Sequence, residues 1–172
     1  MPDILIAADA DFVIDEVVAA VSGPGTELRI ARRGLDVLPA SRERLPDLVI
    51  CDLQIGSMGG MAVTMDLRHE EGADRLDRVP VLMLLDRDAD VYLARRSGAD
   101  GWLVKPLDPF RLRRAADAVL AGEGTFDGVD AEEWPALRAA ARGETWVAPE
   151  AVDEAVDEAD DEAEDAVEAV DA

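Results

Sequence analysis

The feature that most narrows the fold of this chain is an alternation, repeated up to about residue 122, of short unbroken apolar runs with longer segments of helical spacing. The runs are Ile4-Leu5-Ile6-Ala7, Leu48-Val49-Ile50-Cys51, Val81-Leu82-Met83-Leu84-Leu85 and Trp102-Leu103-Val104. Apolar stretches this short, with no polar interruption, read as strands buried on both faces, the habit of parallel sheets. A fifth segment, Glu27-Leu28-Arg29-Ile30, alternates polar and apolar residues and reads as a sheet edge. Between the strands, Val13, Val17, Val18 and Val21 share one helical face after Asp11, which reads as an N-cap. Met61, Met65 and Leu67 follow a Gly-rich turn, and Tyr92 and Leu93 lie in a short helix that Gly98 ends. Asp108-Pro109 places a capping carboxylate and a first-turn proline ahead of a helix from Phe110 to Leu120. Five strands alternating with five helices predict an α/β fold with a doubly wound parallel sheet, whose functional crevice lies at the carboxyl ends of the strands.

The charge is unevenly spread. Residues 1–124 carry 22 acids and 15 bases, whereas 125–172 carry 17 acids and 2 bases. This divides the chain into a domain at 1–124, a linker with a short helix at 125–149 (polar from Thr125 to Asp130, helical from Trp134 to Arg142), and an acidic tail at 150–172. From Glu150 to Asp171 there are 12 acids and no base. Alanine there favours helix while like charges four residues apart oppose it, so the tail is expected to be largely disordered, ordering only against a basic partner. So acidic a chain repels phosphate backbones and anionic lipid, which argues against nucleic acid and membrane surfaces as partners. No apolar run approaches the roughly 20 residues of a membrane helix, and the N-terminus lacks the pattern of a secretory signal. With Cys51 as the only cysteine there is no intrachain disulfide. The expectation is a cytoplasmic protein.

Four side chains are predicted to meet at the strand ends: Asp9 after the first strand, Asp52 at the end of the third, Asp86 after the fourth and Lys105 after the fifth. Carboxylates converging with one ammonium suit a hard cation such as Mg²⁺, and a carboxylate beside such a cation can attack a phosphoryl donor. Lys105 is the only lysine among 17 basic residues, so the one compact ammonium of an arginine-rich chain falls at this site. Ile4 to Asp9, Pro46 to Leu53, Gly56 to Gly60 and Gly98 to Pro106, in this order and spacing, resemble the signature of bacterial response-regulator receiver domains over roughly residues 3–121. The resemblance implies a flavodoxin-like sheet of order 2-1-3-4-5. It implies Asp52 as phospho-acceptor, Asp9 and Asp52 as Mg²⁺ ligands joined by the Gln54 backbone carbonyl, Lys105 on the phosphoryl group and Trp102 at the aromatic switch position. It also implies a histidine kinase or phosphotransfer protein as donor, and self-association through the face of the fourth helix, fifth strand and fifth helix.

The chain departs from the family pattern at three places. Ala8 stands where a second acid is usual, Leu85 replaces the Ser or Thr that would bind the phosphoryl oxygen, and Gly56 and Gly59 make for a looser loop after the acceptor. Asp86 has two readings, a further metal ligand or a charge that repels the incoming group. Cys51 reads as a small buried hydrophobe and His69 as a solvated or capping side chain. Trp134 and Trp146 either pack back on the domain or anchor a partner. Two functions follow: a stand-alone phospho-switch acting through an unknown target protein, or a pseudo-receiver adaptor that binds through its receiver face and acidic tail whatever its phosphorylation state. Enzyme activity beyond Mg²⁺-dependent self-phosphorylation and dephosphorylation is not expected, since the chain has no phosphate-binding glycine loop, no nucleophile elbow and no histidine placed as a base.

Overall fold

In the computed structural model, which describes residues 1–144, the apolar runs become five parallel strands: β1 (Asp3–Ala7), β2 (Glu27–Ala31), β3 (Leu48–Asp52), β4 (Val81–Leu85) and β5 (Gly101–Val104). Their order is β2-β1-β3-β4-β5, the doubly wound arrangement the sequence predicts. Six helices accompany them: α1 (Asp11–Val21), α2 (Val37–Glu43), α3 (Gly60–Gly72), α4 (Val91–Ser97), α5 (Pro109–Leu120) and α6 (Trp134–Ala141). Every residue of β3 and β4 is buried, whereas β2 lies at the edge without the expected alternation: Glu27 and Ile30 are exposed, Leu28 and Arg29 half-buried, and only Ala31 is buried.

Strand alternation sorts the core into two faces. Ile4, Ile6, Leu48, Ile50, Leu82, Leu84 and Leu103 pack under α1 and α5. Leu5, Ala7, Val49, Cys51 and Val81 pack against Val37, Val63 and Leu67 of α2 and α3. On that second face the β4–β5 end continues as Met83, Leu85, Ala94 and Trp102. Gly98 ends α4 with φ at 77°, and the Asp108 carboxylate caps α5 by accepting from the Arg111 N–H at 2.8 Å, both as predicted.

Two local expectations are corrected. The N-cap of α1 is Ala10, and Asp11 is instead the first helical residue, with its carboxylate on Arg32 at 2.8 Å. Met65 is 48% exposed, because α3 buries Val63, Thr64, Leu67 and Glu70 instead. Glu70 can be buried because Arg42 and Arg75 pair with it.

The largest difference concerns the expected linker. Trp102 and Phe126 form a parallel bridge, with the Trp102 N–H donating to the Thr125 carbonyl at 2.7 Å and the Asp127 N–H to the Trp102 carbonyl at 3.3 Å. The segment after α5 therefore bridges the free edge of β5 at a single residue pair, alongside the five-stranded sheet. Phe126 is 2% exposed and its ring meets those of Trp102 and Trp134 edge-on, at centroid distances of 4.8 and 5.7 Å. Of the two open readings of Trp134, the structure has it packed back on the domain, with Leu137 of α6 beside it in the same cluster. Arg111 of α5 pairs with Asp127, and Arg95 of α4 with Glu133 at 3.1 Å. The face of α4, β5 and α5 expected for self-association thus carries the chain's own segment. Burying Phe126, on the order of 1.5–3 kcal/mol, is the physical reason the segment docks. Trp146 and the acidic tail lie outside the described residues. Among those described, no helix is long and apolar enough to cross a membrane.

Candidate functional site

The sheet's register brings the predicted residues to one rim. Asp52 is the last residue of β3, and the next N–H, that of Leu53, still donates to Leu84 of β4 at 2.9 Å. Lys105 follows β5, its N–H on the Leu85 carbonyl at 2.8 Å, so the strand ladder fixes where its stem begins. The Lys105–Pro106 peptide is cis. Asp9 leaves β1 one residue after the buried Ala8, whose N–H pairs with Ala31.

At the centre, the Asp52 carboxylate is nearly enclosed, 3% exposed, and its Oδ1 accepts from Lys105 Nζ at 2.9 Å and from the Gln54 N–H at 3.2 Å. A buried carboxylate needs this kind of pairing, because an uncompensated one is strongly disfavoured. The same Nζ donates to Asp86 Oδ1, also at 2.9 Å. Burial acts to lower the Lys105 pKa, but the hydrogen bonds and charges of Asp52 and Asp86 outweigh it and hold the ammonium above its ordinary value. Asp52 Oδ2 takes no hydrogen bond among the described residues.

Asp86 is turned to the ammonium. Asp9 directs Oδ2 to the Gly56 N–H at 3.0 Å. Among the described residues no three side chains of His, Cys, Asp or Glu converge as a metal cage. The Gln54 carbonyl, expected at the metal, accepts none of the loop hydrogen bonds.

Of the two glycines expected to loosen the loop after the acceptor, Gly56 is closely packed, while a Cβ at Gly59 would meet only the Leu53 carbonyl oxygen at an ordinary 3.5 Å. A Cβ at Gly56 would lie 2.9 Å from Asp9 Oδ2, and one at Gly60 would lie 2.6 Å from the Asp52 carbonyl oxygen. Both glycines serve close approach to the site. The loop is anchored by the Gly60 N–H on the Leu53 carbonyl at 2.9 Å.

Leu85 is fully buried in one apolar cluster with Trp102 and Phe126. The Trp102 indole N–H donates to the Asp127 carbonyl at 2.9 Å, and the Asp127 carboxylate accepts from the Val104 N–H at 2.7 Å. Both residues expected to act as a switch are therefore closed in by a segment that reads in sequence as linker. Its only signal was one aromatic residue, Phe126, among polar neighbours. Cys51, in the strand beside the acceptor, is buried, and that burial, with the Asp52 charge second, pushes its thiol up to about 12. It is an inert hydrophobe at neutral pH.

The fold is a doubly wound α/β domain whose strand-end rim holds a buried aspartate paired with a lysine. The profile of the response regulator receiver domain matches residues 4–117, and the chain belongs to that family. It is similar to the transcriptional regulatory protein AfsQ1 of Streptomyces coelicolor, 30% identical over 139 residues, which are 80% of this chain and 59% of that protein. Protein PilH of Pseudomonas aeruginosa is 28% identical over 124 residues, covering 71% of this chain and all of PilH. Among solved structures, the chemotaxis response regulator CheY4 of Vibrio cholerae superposes with a TM-score of 0.61 at 25% identity, covering 69% of this chain and 98% of that one. The chain spans 59% and 47% of the length of the first two curated relatives it matches.

Proposed function

We propose that this chain accepts a phosphoryl group on Asp52 from a histidine kinase or phosphotransfer protein and signals by binding a target protein. The observation that carries the reading is the 2.9 Å contact of the lone lysine with a buried aspartate whose second oxygen is unengaged. In the transfer, Asp52 Oδ2 bonds to phosphorus as the phosphorus–nitrogen bond of a phosphohistidine breaks, and the leaving imidazole takes up a proton. Lys105 remains beside the new group as a point charge.

The donor set fits Mg²⁺. The Asp9 and Asp52 carboxylates with the Gln54 carbonyl are hard oxygen ligands, and this ion is commonly held by one or two carboxylates and water. When bound there, the ion offsets the repulsion between the incoming anion and the carboxylates. Asp86 belongs to Lys105 in this reading. It must release or share the ammonium before the phosphoryl group can use it.

A second reading, the adaptor that binds whatever its phosphorylation state, is favoured by Leu85 and Trp102. One lacks the hydroxyl and the other has its indole N–H engaged by Asp127. Intact-protein mass spectrometry after incubation with acetyl phosphate separates the two. A Mg²⁺-dependent gain of one phosphoryl group, absent in Asp52→Asn, supports the acceptor reading. No gain at saturating donor and metal overturns it in favour of the adaptor.

A further inference from the structure

The chain holds 16 arginines, and 13 of them have a carboxylate within ion-pair distance among the described residues. The three that do not, Arg96, Arg114 and Arg138, come together on the two sides of α6. Arg114 and Arg138 line a groove of about 680 Å³ between α5 and α6, floored by Trp134 and the small residues of α5. Arg96 lines a second groove, of about 570 Å³, on the other side between α3, α4 and the end of α6. Arg138 stacks over Trp134 at 5.8 Å, and its Nε is buried without a hydrogen-bond partner. Two carboxylates also line the first groove; Asp117 sits 3.8 Å from Arg113, and Glu123 offsets only one of the two charges that Arg114 and Arg138 bring, so the groove stays net positive.

Residues 1–144 carry 27 acids against 17 bases, so this surface is a cationic exception on an acidic body. Guanidiniums gathered in clefts without a carboxylate partner select carboxylates or phosphates, which match their planar fork. The chain supplies carboxylates itself. Beyond Glu144, at the end of α6, every further charge is negative, with 12 acids between Glu150 and Asp171. The six residues from Glu144 to Glu150 reach about 20 Å when extended, whereas α6 is about 12 Å long.

We propose that the acidic segment 150–171 is an intramolecular ligand of the arginine-lined grooves flanking α6. Docked there, it neutralises Arg96, Arg114 and Arg138. External polyanions are shut out of the grooves, and an outside basic partner must win the segment from them. Such tethering exploits a high effective concentration, so modest charge pairing suffices, and salt weakens it as the Debye length falls from about 10 Å at 0.1 M to about 3 Å at 1 M.

The test is paramagnetic relaxation enhancement on the full chain. A nitroxide is placed on Ala163→Cys in a Cys51→Ala background, and the ¹⁵N amides of α5 and α6 are observed. At low salt the amide signals around Arg114 and Arg138 lose most of their intensity. They recover at 1 M NaCl, and in Arg96→Gln/Arg114→Gln/Arg138→Gln. Undiminished signals at low salt overturn the proposal, as does broadening that persists in the triple variant. A mixture of ¹⁵N-labelled chains and spin-labelled unlabelled chains isolates the other occupant. Equal broadening in the mixture assigns the segment to a second copy and overturns the intramolecular assignment.

Discussion

Replacing Phe126 by alanine is the sharpest test of whether the segment after α5 is part of the fold. The side chain is 2% exposed and lies edge-on to both Trp102 and Trp134. Truncating a buried phenylalanine costs about 3–5 kcal/mol, and the loss of two aromatic contacts worth about 0.5–1.5 kcal/mol each beyond area places this site toward the upper end. Against a typical domain stability of about 5–15 kcal/mol, that is a large share. In urea unfolding followed by tryptophan fluorescence, a slope of about 2 kcal/mol/M converts 4 kcal/mol into a midpoint shift of about 2 M. Phe110→Ala is the control, since Phe110 is 83% exposed and its removal is expected to stay within about 0.5 kcal/mol. A Phe126→Ala cost below about 1 kcal/mol refutes the reasoning, because it means that the β5 edge is covered without energetic consequence.

Freeing Lys105 by Asp86→Ala is expected to speed labelling of Asp52 by acetyl phosphate, measured by mass against time, and an unchanged or slower rate removes Asp86 as a competitor for the ammonium. Stability is expected to fall on the alkaline side. The Cys51 thiol, pushed up to about 12 by burial, binds its proton more tightly folded than unfolded, so stability declines as pH rises above about 9, by up to about 1.4 kcal/mol per unit. The raised Lys105 adds to this, since its contribution is complete below its unfolded value and fades as pH climbs through the folded one. Denaturation midpoints of wild type and Cys51→Val between pH 8 and 11 check it, the variant showing a flatter decline. Asp100→Asn is expected to cost about 2–3 kcal/mol, because Asp100 accepts from Arg68 at 2.6 Å, from Arg78 and from the Val81 N–H at 2.7 Å. A thermal shift of less than a degree would count against that network.

Much of this was legible in the chain because the signals were local. Unbroken apolar runs fixed four strands to within a residue or two, and Gly98 and Asp108 marked helix ends through their own backbone chemistry. Asp52 and Lys105 were found from their place after apolar runs, a position the sheet register turns into contact. What escaped depends on tertiary partners. Met61 and Met65 suggest an apolar face, yet α3 buries Thr64 and Glu70, the first satisfied by the Gly60 carbonyl and the second by two arginines. Asp86 carries no sequence mark that it serves Lys105. Phe126 stands in a stretch with no periodicity, and only the unpaired rim of β5 explains its burial.

Bridging β5 from within changes what that rim offers to other chains. Among the described residues, the backbone of Thr125 to Asp127 engages the N–H and carbonyl of Trp102, the groups an incoming strand would use there. An extended peptide seeking to add to the sheet at β5 must first displace a segment held by the buried Phe126, so at that rim the chain acts as its own competitive inhibitor.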